Sequence, residues 1–170
     1  MVILGIDPGI ANTGFGVVRR DHGRAVALDG GVVETASGQA PEQRLAVLHA
    51  RIGALIEQYD PAALAMEALY FGQNARSAFA VGQARGVILL AAGQHGCPCF
   101  DYTPQQVKSA VCGTGRAGKD QVTRMVQAVL ALPEPPTPDH AADALAVAIC
   151  HASRAPLVHA AAQADLVAAR

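Results

Sequence analysis

Three acidic residues and one histidine occupy positions where an α/β protein can place catalytic groups. Asp7 closes the apolar segment VILGID, and Glu67 interrupts the otherwise apolar segment ALAMEAL. His140 and Asp143 lie three residues apart in HAADALAVAI, a spacing that puts both side chains on one face of a helix. Carboxylate oxygens bind hard divalent cations, and a pair of such cations can activate water for phosphodiester hydrolysis. The four residues are therefore candidates for a metal-dependent hydrolytic site.

Each of these residues also has a purely structural interpretation. Asp7 precedes Pro-Gly and could cap a turn, and Glu67 could be the solvent-facing end of a strand. Asp139 is a candidate N-cap, with His140 exposed and Asp143 complementing the helix N-terminus. This explanation suits Asp143 less well, because that residue lies on the helix side expected to pack against a sheet.

The elements that must position these residues follow from the hydrophobic periodicity. The pattern predicts an antiparallel meander of three strands at residues 2–7, 15–20 and 24–35. Gly9 and Gly14 should give the first turn its backbone freedom. A bulge is predicted in the third strand at Gly30-Gly31. Helices are predicted over 41–59, 75–96, 104–113, 119–132 and 139–154, and short strands over 63–69 and 98–103. Because helices separate the two later strands, these strands should join the sheet in parallel, which gives an α/β layered fold.

Composition restricts the domain organisation and the function classes. The 170 residues are 51% hydrophobic and 16% charged, which excludes intrinsic disorder and indicates one domain. We expect this domain at residues 1–153 and a helical or frayed tail at 154–170. No apolar run is long enough to span a membrane, and the N-terminus does not have the pattern of a secretory signal. The four cysteines contain no CxxC pair, which argues against a zinc ribbon, and free thiols indicate the cytoplasm.

The charge pattern permits a local nucleic-acid-binding surface. The net charge of −1 excludes a uniformly basic coat. Four basic residues nevertheless lie in the segment just before the helix of His140, and such a patch suits phosphate binding: Lys108, Arg116, Lys119 and Arg124. Arg124 alone is more typical of a solvated helix face. Tyr70 and Phe71 fall in a predicted loop, where an exposed aromatic ring can stack on an unpaired base for roughly 1–3 kcal/mol. We expect Phe71 to fold back into the core.

Five segments of the chain, taken together, resemble the RuvC family of bacterial Holliday-junction resolvases, which belongs to the RNase H-like superfamily. These segments are GIDPGIANTGFGVV (5–18), AMEALYFGQNARSAFAVGQARG (65–86), YTPQQVKSAV (102–111), KDQVTRMV (119–126) and HAADALAVAI (140–149). The resemblance implies an RNase H-like fold, with a five-stranded mixed sheet flanked by helices. It also implies a crossover junction endodeoxyribonuclease, a metal-dependent enzyme that resolves four-way DNA junctions by paired symmetric nicks during homologous recombination and DNA repair.

The resemblance implies roles for the four candidate site residues. Asp7, Glu67, His140 and Asp143 match the family's catalytic, metal-binding tetrad, with two divalent ions, Mg²⁺ or Mn²⁺, in each active site. Many members have Asp where this chain has His140. An imidazole removes one negative charge and favours Mn²⁺.

The resemblance also implies partners. Lys119 and Lys108 match basic residues near the scissile phosphate, with Lys119 taking part in catalysis, and Tyr70 matches a loop aromatic that contacts bases. Arg116 and Phe71 are further candidate DNA contacts. The two-fold symmetry of paired nicks implies a homodimer, whose candidate interface is the helix over 74–95, through Phe79, Val81, Val87 and Leu90. RuvA and RuvB, the branch-migration complex, are the expected protein partners.

Two other function classes share part of this pattern. An actin-like or sugar-kinase-type ATPase also begins with a GID-like strand and a glycine turn, but such folds normally need two domains and far more residues. It would hydrolyse ATP without cleaving DNA. A catalytically inert, RNase H-like junction-binding or ribosome-associated module would not need the complete set of Asp7, Glu67, His140 and Asp143.

Overall fold

The computed structural model of the protein describes residues 1–68 and 75–168, with side chains described over 1–68 and 78–154. Along the chain the elements are β1 (Val2–Asp7), β2 (Asn12–Asp21), β3 (Arg24–Glu34), α1 (Pro41–Tyr59), β4 (Ala63–Glu67), α2 (Ala75–Gln94), β5 (Cys99–Tyr102), α3 (Pro104–Cys112), α4 (Lys119–Leu130) and α5 (Asp139–Ala168). Every predicted strand and helix is present, and the main difference is that α5 continues well past residue 154. Among the described residues, no helix has the length and apolar character needed to cross a bilayer.

The strands form one mixed sheet in the order β3-β2-β1-β4-β5. The first three strands pair antiparallel, and β4 joins β1 and β5 joins β4 in parallel. This confirms the predicted meander followed by two parallel strands. The topology places β1 at the centre of the sheet, with its carboxyl end beside that of β4.

The irregularity between β2 and β3 lies away from its predicted position. The register shifts between Val17 and Val18, which leaves Leu28 as the extra residue of β3. The predicted bulge at Gly30-Gly31 is therefore wrong. Both glycines keep regular pairing, and the Phe15 ring occupies the space beside Gly31, where a Cβ would come within 3.0 Å of it.

Helices cover both faces of the sheet, and alternate strand residues divide between them. Ile3 and Ala65 belong to the apolar cluster formed with α3, α4 and α5, whereas Leu4 belongs to the cluster formed with α1 and α2. Side chains two residues apart on a strand share a face. Asp7 comes four residues after Ile3, and Glu67 comes two residues after Ala65. Both acids therefore belong to the face covered by α5.

The α5 helix lies directly on the sheet because glycines leave it room. A Cβ placed on Gly5 would lie 2.2 Å from the Ala144 carbonyl oxygen, and one on Gly14 would lie 1.9 Å from the His140 carbonyl oxygen. Gly14 lies inside β2, opposite Asp7, and its φ angle is not positive. The prediction that Gly14 serves turn flexibility is therefore wrong. Its lack of a side chain permits a close backbone contact that fixes the start of α5.

Two further helix starts border the site and follow from local sequence. α3 begins with Pro104 at its first turn, and Thr103 and Gln106 form a reciprocal capping box there. α4 begins at Lys119 immediately after Gly118. These starts bring α3 and α4 alongside α5 on the same face of the sheet.

Candidate active site

Asp7 and Glu67 lie side by side at the carboxyl ends of neighbouring parallel strands. The β1–β4 register pairs Ile6 with Met66, so the next residues on each strand are the two acids. Both are half-buried. Open α/β sheets bind ligands at this edge, outside the carboxyl ends of their strands.

His140 reaches the same edge from the first turn of α5. Its Nδ1 lies 2.7 Å from the Oδ2 atom of Asp7, and its side chain is 44% exposed. When the ionised Asp7 accepts a hydrogen bond from Nδ1, the neutral ring presents the lone pair of Nε2. His140 is therefore held in an orientation that leaves one nitrogen to bind a metal or accept a proton.

Lys119 joins the start of α4 to the start of α5. Its Nζ lies 3.0 Å from the Oδ2 atom of Asp139 and 3.5 Å from the Oδ2 atom of Asp143. The hydrogen bond to Asp139 and the charges of both carboxylates raise the pKa of Lys119, which keeps the ammonium charged. Asp139, an expected N-cap, is instead the first residue of α5, and its carboxylate contacts this lysine.

The carboxyl groups of the site are close enough to affect one another. Burial, followed by the negative charges of Asp7 and Asp143, raises the pKa of Glu67, and Lys108 opposes this shift. Burial and the charge of Asp7 likewise raise the pKa of Asp143, against the opposing effect of Lys119. The site concentrates more negative charge than it neutralises, which is an environment that attracts cations.

A cavity of about 200 Å³ opens beside these groups, between α3, α4 and α5. Its polar lining comes from Glu67, Lys108, Lys119 and Asp143, and the remaining lining is apolar. The structure thus brings both predicted lysines to the acidic edge of the sheet. At roughly 30 Å³ per water molecule, this space can hold a phosphate group together with a few waters.

The carboxylates and the imidazole of the site are chemically suited to bind a divalent cation. Its oxygen ligands are those that Mg²⁺ and Mn²⁺ prefer, and a cation would relieve the repulsion between the carboxylates. Within the ranges that the structure describes, however, no three His, Cys, Asp or Glu side chains are arranged to hold an ion. Asp7 contacts His140 and Asp143 contacts Lys119 instead. The metal-binding roles of Asp7, Glu67, His140 and Asp143 stay predictions.

Among the other predicted DNA-binding residues, the structure describes the two arginines but not the two aromatic residues. Arg116 is exposed in the connection between α3 and α4. Arg124 is exposed, and its Nε donates to the Asp120 carbonyl oxygen of its own helix at 3.3 Å, as expected for a solvated helix face. Tyr70 and Phe71 lie outside the described residues.

Comparison with known proteins decides the family. The family model described as "Crossover junction endodeoxyribonuclease RuvC" matches residues 3–151. The chain belongs to the RuvC family. The crossover junction endodeoxyribonuclease RuvC of Moorella thermoacetica is 55% identical over 156 residues, which cover 92% of this chain and 93% of that protein. Family membership confirms the resemblance stated from the sequence and rules out the ATPase alternative.

Solved RuvC structures share the fold described above. The Thermus thermophilus RuvC structure matches with a TM-score of 0.86, and T. thermophilus RuvC in complex with Holliday junction substrate matches with a TM-score of 0.89. Each is 41% identical and covers 92% of this chain and 96% of that chain. The RNase H-like fold predicted from the sequence is confirmed. Membership of the RuvC nuclease family also implies dependence on a divalent metal.

One residue beside the RuvC site was not singled out from the sequence. Arg85 of α2 donates a hydrogen bond from Nη1 to the backbone carbonyl oxygen of Glu67 at 3.2 Å. The available signal was weak: Arg85 is the single charged residue in the otherwise uncharged run VGQARGVILL. Because its contact partners come from distant strands, only the folded chain shows what it does.

Proposed function

We propose that the protein resolves four-way DNA (Holliday) junctions by paired, symmetric nicks, acting in the cytoplasm during homologous recombination and DNA repair. The observation that carries this proposal is the meeting of Asp7, Glu67 and Asp143 at one sheet edge, with Lys108 and Lys119 beside them. In metal-dependent hydrolysis of a phosphodiester, acidic groups bind the cations and basic groups stabilise the negative charge on the phosphate. The RuvC relatives support the junction as the substrate.

The proposed chemistry assigns two divalent ions, Mg²⁺ or Mn²⁺, to Asp7, Glu67, His140 and Asp143. When bound, these ions supply Lewis acidity and an activated water. The chain's own residues orient the reacting groups and neutralise the charge on the phosphate. Asp7 holds His140 through Nδ1, which leaves Nε2 as an additional ligand or as an acceptor for a proton from water. Water attack on phosphorus then breaks the bond to the 3′ oxygen and leaves a 3′-hydroxyl and a 5′-phosphate.

Basic and aromatic residues around the site account for DNA binding in this proposal. Lys119, held beside Asp143, stabilises negative charge on the phosphate during hydrolysis, and Lys108 lies across the same cavity. Arg116 contributes a phosphate contact from its exposed position. Tyr70 would contact bases at the junction by stacking, and Phe71 would add a second such contact only if its ring does not fold back into the core.

The pairing of nicks requires two active sites, which we assign to a homodimer formed through α2. Phe79 is 70% exposed and Leu90 is 55% exposed, whereas Val81 and Val87 are partly buried. Phe79 and Leu90 lie eleven residues apart, or about three helical turns, and so they share one face. A two-fold dimer matches the two equivalent strands of a four-way junction. RuvA and RuvB would deliver the junction as the branch-migration complex.

The test is a cleavage assay on mobile and fixed four-way junctions, with duplex and single-stranded DNA as controls. Mg²⁺, Mn²⁺ and Ca²⁺ are added separately. We expect paired nicks in the junctions, dependent on Mg²⁺ or Mn²⁺, and little cleavage of the controls. Glu67→Gln should lack this activity, while Glu42→Gln, which changes an exposed glutamate of α1, should retain it. Equal cleavage of duplex and junction, or no cleavage in any metal, contradicts the proposal.

A further inference from the structure

A partly buried arginine contacts the backbone behind the proposed catalytic glutamate. Arg85 lies on α2, and its side chain is only 13% exposed. Its Nη1 donates to the carbonyl oxygen of Glu67 at 3.2 Å and lies 3.9 Å from the Met66 sulfur. Its Nη2 donates to the carboxylate of Asp101 on β5. One guanidinium therefore connects the carboxyl ends of two strands.

The Glu67 carbonyl is a group that the sheet leaves without a strand partner. Leu64 and Ala68 donate their N–H groups to Pro98 and Tyr102 on the β5 side, at 2.9 and 2.8 Å. Alternation along the ladder turns the backbone of Glu67 toward β1. The residue that follows Asp7 on β1 is Pro8, which has no N–H to donate. Arg85 supplies a donor to this carbonyl from outside the ladder.

We propose that Arg85 is a positioning residue for Glu67, fixing the end of β4 from the sheet face opposite the cavity. Met66, which Arg85 touches, packs with α1 and α2, whereas the Glu67 carboxylate belongs to the α5 face. Arg85 therefore acts on the carboxylate through the backbone, and its charge is matched by Asp101. This proposal rests on the proposed function, because it takes Glu67 to be a metal ligand.

The geometry explains why this position holds arginine. A guanidinium presents several N–H donors in a rigid plane and can serve two acceptors at fixed positions. A lysine at the same place would keep the charge, but its single flexible ammonium group would not hold both acceptors in one geometry. Losing the contact would remove this donor from the Glu67 carbonyl and would free the end of β4.

The experiment measures Mn²⁺ binding directly, by the electron paramagnetic resonance signal of free Mn²⁺, together with single-turnover junction cleavage. Arg85→Met removes the donors and keeps much of the apolar stem, and Arg51→Met changes an exposed arginine of α1 as a matched control. We expect Arg85→Met to weaken Mn²⁺ binding about 10-fold to 100-fold, the usual range for residues that support metal ligands. Cleavage should fall at low Mn²⁺ and recover in excess Mn²⁺, with junction binding unchanged.

Two further variants keep the inference testable if Arg85→Met does not fold. Arg85→Lys should bind Mn²⁺ with an affinity between those of wild type and Arg85→Met, and Asp101→Asn should weaken binding less than Arg85→Lys. A role confined to stability would lower the melting temperature and leave the Mn²⁺ midpoint unchanged. Wild-type Mn²⁺ affinity in folded Arg85→Met, or in Arg85→Lys, overturns the inference.

Glu67→Gln, assayed in parallel, separates this inference from the proposed function. If Glu67→Gln binds Mn²⁺ and cleaves like wild type, the assigned site is wrong, and the role of Arg85 is wrong with it. If Glu67→Gln loses both properties while Arg85→Met matches wild type, only the inference about Arg85 is wrong.

Discussion

Adding one methyl group at Gly14 should disable the site without replacing any catalytic residue. A Cβ at this position would lie 1.9 Å from the His140 carbonyl oxygen and 3.0 Å from the His140 Cβ. Real Cβ atoms essentially never approach a neighbour within 3.0 Å, and the group in the way is helix backbone, which cannot rotate aside. In Gly14→Ala the start of α5 must therefore move away from the sheet by at least about 1 Å.

The size of this displacement sets the expected effect. His140 and Asp143 move with the helix, and a misplacement of about 1 Å can reduce catalysis about 100-fold. Overpacking of this kind typically costs about 1–3 kcal/mol of stability, or roughly 2–12 °C in melting temperature for a domain of this size. We expect single-turnover cleavage at saturating metal to fall about 100-fold, while junction binding changes little because its contacts lie elsewhere.

Gly30→Ala provides the matched control, since a Cβ there would make an ordinary contact of 3.6 Å with Leu145. It is the same substitution in the neighbouring strand of the same sheet and should leave the cleavage rate within about twofold of wild type. Circular dichroism and thermal melts establish that both variants are folded at the assay temperature. A folded Gly14→Ala that cleaves as fast as Gly30→Ala would refute the claim that this close contact positions the catalytic helix.

Two further predictions concern histidines. We expect wild type to cleave junctions faster in Mn²⁺ than in Mg²⁺ at equal concentration, and His140→Asp to narrow this ratio, because an all-oxygen site suits Mg²⁺ better; an unchanged ratio would show that His140 is not a ligand. Hydrogen bonds from His95 to the Ala91 carbonyl and the Glu57 carboxylate raise the pKa of His95. This raised pKa adds stability below the ordinary value of about 6.5, and the added stability is lost as pH rises through the folded value. The melting-temperature difference between wild type and Glu57→Gln should therefore shrink from pH 6 to pH 9, and a constant difference would contradict this.

Much of the fold could be predicted because its signals are local. The alternation and apolar runs of the strands, the 3.6-residue period of α1 and the proline and glycine boundaries all act over a few residues. That Asp7 and Glu67 belong to one site was also predicted, because both acids lie near the ends of predicted strands. The placement of Lys108 beside Glu67 came from the family resemblance rather than from the local pattern.

The features that could not be predicted from the sequence depend on contacts between distant segments. Gly14 has the sequence appearance of a turn residue, and only the strand register and the path of α5 show that it makes room for His140. The extra residue at Leu28 arises from how β2 and β3 pair, which the glycines at 30 and 31 did not indicate. Arg85 had no chemistry of its own in the sequence, because its partners come from the ends of two strands.

Asp7→Asn is the sharpest test of whether Asp7 binds the metal that drives nicking. The change keeps the side chain's shape and removes the negative charge proposed to bind the metal. Asp120→Asn, an exposed residue of α4, is the control for losing one negative charge. Nicking and binding of one fixed four-way junction are measured on the same preparations in Mg²⁺ and Mn²⁺. We expect Asp7→Asn to bind the junction like wild type and to show no nicking, while Asp120→Asn does both. Nicking by Asp7→Asn at the wild-type rate, or an equal loss of binding and nicking, would contradict the assignment of Asp7 to metal binding.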